Sequence, residues 1–336
     1  MKEMIRDILQ AYGPSGREEK VSAVIAEYVK PYVDEVYNDV LGNLIAVKKG
    51  TSGKKIMLSA HMDQIGLIVV DIDEKGFLRV SNVGGINPPL SVAREIVFEN
   101  GVKGVTYFET PATRDASTVA TMMTMFVDIG CNTREEALEK VQVGDVGVFV
   151  TNVVELGDRL SSGAQDNRIC CATIVQALKE MRSSHDIYAV FTVQEEVGLR
   201  GAGPAAYGIT PDFNINLDVT LTGDTPKLPP MSVSLGQGPA IKMMDSSVII
   251  PVVVRKFMEE TAEKEGIPYQ REVLRAGGTD TAAIQRVKEG VVAGCISIPS
   301  RYVHTPTEVI DMNDVKNTVK LVCALVERED LPGAGY

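Results

Sequence analysis

An apolar run, Ile56-Met57-Leu58-Ser59-Ala60, ends on His61, and a carboxylate, Asp63, follows two residues later. A histidine at a strand end is most often a satisfied core side chain. Its chemical alternative is a metal-ligating imidazole whose second ring nitrogen is oriented by Asp63. Residues 188–193 form a second strongly apolar run, which opens into Gln194-Glu195-Glu196-Val197-Gly198. Adjacent glutamates are commonly a solvated turn, but at such an end they are partly desolvated, which is unfavourable unless cations compensate them. With a metal present, one acid can ligate it while the other takes a proton from water. Phe213-Asn214-Ile215-Asn216-Leu217-Asp218 delivers another carboxylate in the same way. Asp166 directly precedes a helical pattern, and His304 stands in a polar loop just past the apolar strand ending Ile296-Ser297-Ile298. Taken singly, Asp218 reads better as a helix-cap or turn aspartate, and Asp166 could likewise be only a cap.

Together the pattern is stronger than its parts. Three strand ends deliver ligand-type residues, and α/β sheets place their sites at the carboxyl edges of strands. Two imidazoles and three carboxylates suit a pair of borderline or hard divalent ions better than a closed structural zinc, which prefers thiolates. Zinc and cobalt both satisfy that donor set. Two such ions about 3.5–4 Å apart can hold a hydroxide and polarise a carbonyl together. The chain has 3 histidines and 5 cysteines, so any metal site has to recruit carboxylates. The cysteines are odd in number and lack Cys-x-x-Cys spacing, which reads as buried thiols rather than disulfides or a thiolate zinc site. His185, in the polar Ser183-Ser184-His185-Asp186 segment, is expected at the surface.

The elements that must position these groups alternate. Ser15-Gly16-Arg17-Glu18 fits a capping box, and Val21, Val24, Ile25, Tyr28, Val29 and Tyr32 follow at helical spacing. Buried strands are expected at 44–47, 56–60, 188–193, 213–217 and 291–298. Helices are expected behind Cys170, Cys171, Ile174, Val175 and Leu178 and over 252–265. Residues 65–156 differ in texture, being rich in Val, Thr and Gly, with an Asn100-Gly101 turn between 95–99 and Lys103–Phe108 and a short helix capped at Thr133. The expected fold is therefore α/β, a three-layer α/β/α sandwich over 1–64 and 157–336, split by an inserted β-rich, barrel-like domain over 65–156.

Composition narrows the function classes. With 44% hydrophobic and 24% charged residues and no long apolar run, the chain reads as globular rather than membrane-spanning. A net charge of −11 opposes a phosphate backbone, so nucleic acid is not the expected partner. The first residues, Met1-Lys2-Glu3-Met4, do not build the apolar middle of a signal peptide, and the expected address is the cytoplasm.

Ser59-Ala60-His61-Met62-Asp63, Asp166-Asn167-Arg168, Glu195-Glu196-Val197-Gly198, Gly277-Gly278-Thr279-Asp280 and Arg301-Tyr302-Val303-His304 resemble, in order, the motifs of the M42 metallo-aminopeptidases, the glutamyl or deblocking, tetrahedral type. The resemblance implies that Asp166 bridges two metals, with Glu196 and His304 completing one site and His61 and Asp218 the other. It makes Glu195 the general base, with Asp63 beside it in the catalytic machinery, and Gly278 and Thr279 part of the substrate wall. It also implies a cis Asp166–Asn167 peptide, removal of N-terminal residues from short peptides, and a homo-oligomer, commonly a dodecamer built through the inserted domain. The chain departs from the family at Gln165 and Gln64 and lacks a Pro-His element within 106–125.

Two rival readings belong to other classes. A glycosidase needs two carboxylates facing each other across the bond at roughly 5–9.5 Å, whereas Glu195 and Glu196 are neighbours and the chain contains no Trp for sugar stacking. A non-catalytic assembly protein would be expected to have lost a ligand or the base, and neither loss is visible.

Overall fold

The computed structural model describes residues 1–110, 118–227 and 231–333. The segment 106–125, where a Pro-His element is missing, therefore lies partly outside the described residues. The apolar runs become strands of an 11-stranded mixed sheet. Four strands at its centre, Asp186–Thr192, Lys55–His61, Phe213–Thr220 and Ala293–Arg301, are adjacent and parallel. All residues of Phe213–Thr220 are buried, as a parallel strand covered on both faces requires. Toward one edge, Leu44–Lys48 and then Glu35–Asn38 are added antiparallel.

Helices cover both faces. Gln165–Glu180 packs on the His61 and Asp218 strands, and Met312–Val326 lies beside it. Their apolar faces enclose one core, including Ile169, Ile174, Leu178 and Phe191. On the opposite face Ala202–Ile209 and Asp280–Gln285 close a smaller core around Met57 and Val190. Between the His61 strand and the rest of the sandwich the chain makes a six-stranded antiparallel barrel, closed by pairing of Gly66–Ile72 with Val146–Phe149. It has its own core, including Leu67, Ile96, Phe98 and Val127. Strand Lys103–Phe108 alternates strictly between exposed and buried positions, the period-two pattern of a barrel wall. Thr133 caps the short helix Arg134–Leu138 by accepting from the Glu136 N–H.

Two local expectations fail, each for a polar reason. Ser15 caps nothing: the helix starts at Glu19 without a side-chain cap, and the Ser15 hydroxyl donates instead to Asp63 Oδ2 at 2.6 Å. His185 is not at the surface but 2% exposed. Its Nδ1 meets Ser52 Oγ at 2.7 Å and its Nε2 meets the Arg328 carbonyl at 2.8 Å, so the polar neighbours that suggested exposure satisfy the ring inside the protein.

Arg168 is fully buried. Its guanidinium donates to the carbonyls of Ile8, Leu9, Ala11, Gly13 and Met62, gathering the carbonyls at the end of helix Lys2–Gln10 where a cation is favoured. Arg168→Met would leave several of these acceptors buried without donors, and each such group costs about 1–3 kcal/mol. The expected loss is about 3 kcal/mol or more, read by chemical denaturation. A loss under about 1 kcal/mol would show that water replaces the guanidinium.

Candidate metal centre and active site

Because the four central strands are parallel, their carboxyl ends share one edge of the sheet. His61 is the last residue of its strand and Thr192 pairs beside it, so Glu195 and Glu196 emerge in the turn immediately after. Asp218 lies near the end of the next strand and His304 just past Ala293–Arg301. Asp166 is set at the start of helix Gln165–Glu180, where Asp166 and Asn167 depart from helical geometry and are joined by a cis peptide.

Asp166 lies between the two imidazoles. Its Oδ1 is 3.1 Å from His61 Nε2 and its Oδ2 is 3.3 Å from His304 Nε2. His304 Nε2 is also 3.4 Å from Glu196 Oε2. His61 Nε2 is 3.8 Å from Glu195 Oε2 and 4.0 Å from Asp218 Oδ1. Two groups, His61 with Glu195 and Asp218, and His61 with Asp166 and Glu196, have donor atoms lying mutually within 4.8 Å. Glu195 thus stands among the donor atoms rather than apart from them.

The electrostatics describe a site short of positive charge. Among the described residues, the ion pairs of Asp166, Glu195, Glu196 and Asp218 are all with the two histidines. Burial, with neighbouring carboxylates adding to it, pushes Glu195 and Asp218 well above the usual carboxylate range and raises Glu196. For His304, burial opposes the charge, yet Asp166 and Glu196 carry its pKa up to about 12. Crowded, buried carboxylates beside imidazoles are the donor chemistry of a divalent cation site, and these residues fit such ions.

A supporting layer of acids holds the donors in place. The Asp63 carboxylate accepts from Ser15 and from the Glu195 and Glu196 N–H groups at 3.1 and 3.2 Å. His61 Nδ1 lies 3.1 Å from the Asp63 carbonyl and 3.3 Å from its Oδ1. Asp63 therefore orients the glutamate turn as well as the imidazole. Glu18 accepts from the Gln194 N–H at 3.0 Å, fixing the same turn, where Gln194 takes a φ of +55°. Glu308 accepts from the Asp166 N–H at 3.0 Å and the His304 N–H at 2.8 Å, so one buried carboxylate ties two donors together. Gln165 donates to the Leu160 and Glu308 carbonyls.

Sequence reasoning missed Glu308, Glu18 and Ser15. Glu308 had a usable signal, a carboxylate heading the apolar Val309-Ile310, but at the start of a strand rather than its end.

The barrel reaches the site through Gly84 and Gly85. A Cβ on Gly85 would stand 2.5 Å from His304 Nδ1, and one on Gly84, whose φ is +77°, would stand 3.0 Å from Glu196 Oε2. Both positions require glycine because backbone lies against the donors.

The donors form the floor of a cavity of about 510 Å³ whose walls include Gly277 and Gly278. Thr279 does not line it. Its side chain is buried, with the hydroxyl directed to Asp245 and Thr281.

A family model described as M42 glutamyl aminopeptidase matches residues 42–321. A protein of Acetivibrio thermocellus, provisionally named an aminopeptidase, is 50% identical over 96% of this chain and 97% of its own. The solved structure of an aminopeptidase from the archaeon Desulfurococcus kamchatkensis superposes with a TM-score of 0.94 at 40% identity, over 98% of this chain and 95% of that one. The TET1 peptidase of Pyrococcus horikoshii, described as able to assemble into a tetrahedron or a large octahedral shell, superposes with a TM-score of 0.88 at 32% identity, over 97% and 99% of the two chains.

Proposed function

The chain belongs to the M42 peptidase family, and on that premise we propose that it is a dinuclear metal-dependent aminopeptidase removing N-terminal residues from short peptides. The observation that carries the reading is Asp166, with one carboxylate oxygen toward each imidazole. Asp166 would bridge two ions, zinc or cobalt, with Glu196 and His304 on one and His61 and Asp218 on the other. Ions so held supply a Lewis acid for the scissile carbonyl and favour ionisation of the attacking water.

The rest is the work of the chain's own groups. Glu195, held through its N–H by Asp63, takes the proton of the attacking water and returns it to the departing amine. Asp63 keeps Glu195 and His61 in register, so it is a positioning residue. Gly278 forms part of the wall against which the substrate lies, whereas Thr279 shapes that wall from behind through Asp245.

We assign residues 1–64 and 157–336 to the catalytic unit and 65–156 to a unit that makes contacts between subunits, as the family resemblance implies. A homo-oligomer is part of the proposal, dodecameric by likeness to a solved TET1 structure described as a dodecamer in the asymmetric unit, as is a cytoplasmic location. No helix among the described residues is long and apolar enough to cross a membrane.

The test is a choice of substrates: leucyl, alanyl, glutamyl and lysyl anilides against carboxymethyl cellulose, with the metal-supplied protein. Release of aniline from at least one aminoacyl substrate and none of reducing sugar is expected. Sugar release alone would replace this reading by a glycosidase, and silence on both by a non-catalytic assembly protein.

A further inference from the structure

If the donors on the floor hold the ions and the substrate's α-amine and scissile carbonyl come to them, the side chain of the N-terminal residue has only the cavity walls to meet. Those walls are made by the end of the Asp218 strand and the residues after it, by the turn 274–278, by Val303 and by Leu199. Leu199, Val219, Leu221, Leu274 and Val303 supply the apolar contacts, and Thr220 and the turn at 276–278 are neutral. Every carboxylate and imidazole that lines the cavity belongs to the donor floor, and no Lys or Arg lines it among the described residues. Two nearby cations are engaged elsewhere. Arg301 is in a bidentate pair with Asp224, and the buried Lys242 pairs with Glu272. Arg275 lies between two lining residues but is exposed and does not itself line the cavity.

A wall of this kind discriminates by desolvation. An aliphatic side chain gains about 25 cal/mol for each Å² removed from water. A carboxylate or ammonium loses hydration and finds no opposite charge there, which disfavours it more strongly than any missing methylene would. We infer, resting on the aminopeptidase reading, that this chain selects peptides with a neutral aliphatic N-terminal residue, read by Leu221, Leu274 and Val303, and rejects N-terminal Glu and Lys. The family description names glutamyl substrates, so the inference separates this chain from that description.

The experiment compares kcat/KM for leucyl, methionyl, alanyl, glutamyl and lysyl p-nitroanilides. The leaving group is the same throughout, so only the N-terminal side chain is read. Leucyl is expected to exceed glutamyl and lysyl by at least ~10-fold. Two variants check the wall. Leu274→Asp and Leu221→Asp, the latter at a position already 44% exposed, are each expected to raise the lysyl-to-leucyl ratio at least ~10-fold. A ratio is used because it cancels any loss of folded protein. Faster cleavage of the glutamyl or lysyl substrate by the native chain overturns the inference and leaves the aminopeptidase reading standing. Abolition of a glutamyl preference by Arg275→Ala would then identify Arg275 as the group that reads the N-terminal side chain. An unchanged ratio in both variants removes these leucines from the wall. Silence on all five substrates overturns the aminopeptidase reading itself, and the inference with it.

Discussion

Glu195→Gln is expected to lower kcat by at least ~10²-fold on the best aminoacyl anilide, with bound metal and secondary structure unchanged. Glutamine keeps the shape of the side chain and the backbone N–H that donates to Asp63, but it cannot accept and return a proton. The residue lines the cavity beside His61 and Asp218, within reach of a water attacking a bound carbonyl. Two measurements divide the outcomes, steady-state kcat and metal content by elemental analysis. A fall in kcat with full metal content is the expected result. A fall that tracks lost metal would make Glu195 a ligand, as its grouping with His61 and Asp218 permits. An unchanged kcat would remove it from the chemistry.

Stripping divalent ions with a chelator is expected to reduce turnover by at least ~10³-fold, and zinc or cobalt, added back, to restore it. The physical reason is the crowding around Asp166. Four carboxylates converge there, and the described ion pairs they make are with two imidazoles alone. Ions that bind the folded chain and not the unfolded one also stabilise it, by about 2.7 kcal/mol at a concentration 100 times the dissociation constant. The thermal midpoint should therefore rise on re-addition together with activity. Calorimetric titration of the stripped protein should approach two ions per chain. A single ion per chain would end the dinuclear reading, and full activity in chelator would end metal dependence altogether.

Several elements of the fold could be read directly from residue order. The runs around His61, Phe191, Leu217 and Ile296 are rich in apolar residues, and each became a central parallel strand. The Asn100-Gly101 turn and the Thr133 cap were legible because their chemistry is local. Where local rules competed with distant partners, the distant partner won. Ser15 has the spacing of a cap, but a buried carboxylate 48 residues away takes its hydroxyl. His185 has polar neighbours in sequence, but Ser52 and the Arg328 carbonyl enclose it. Thr279 sits in a glycine-rich motif beside the cavity, yet its hydroxyl turns away toward Asp245.

Residue order alone determined which side chains could act, because a strand ending on His61, Asp218 or the Glu195–Glu196 pair places chemistry at a strand's carboxyl end wherever that strand lies. Only the tertiary structure decided that those ends share one edge, that Asp166 offers one oxygen to each imidazole, that Asp63 also holds the glutamate turn, and that Glu308 ties Asp166 to His304. Periodicity is a property of neighbours in the chain. A cluster of like charges, by contrast, is a property of strands brought side by side, and its energy exists only after folding has removed the water between them.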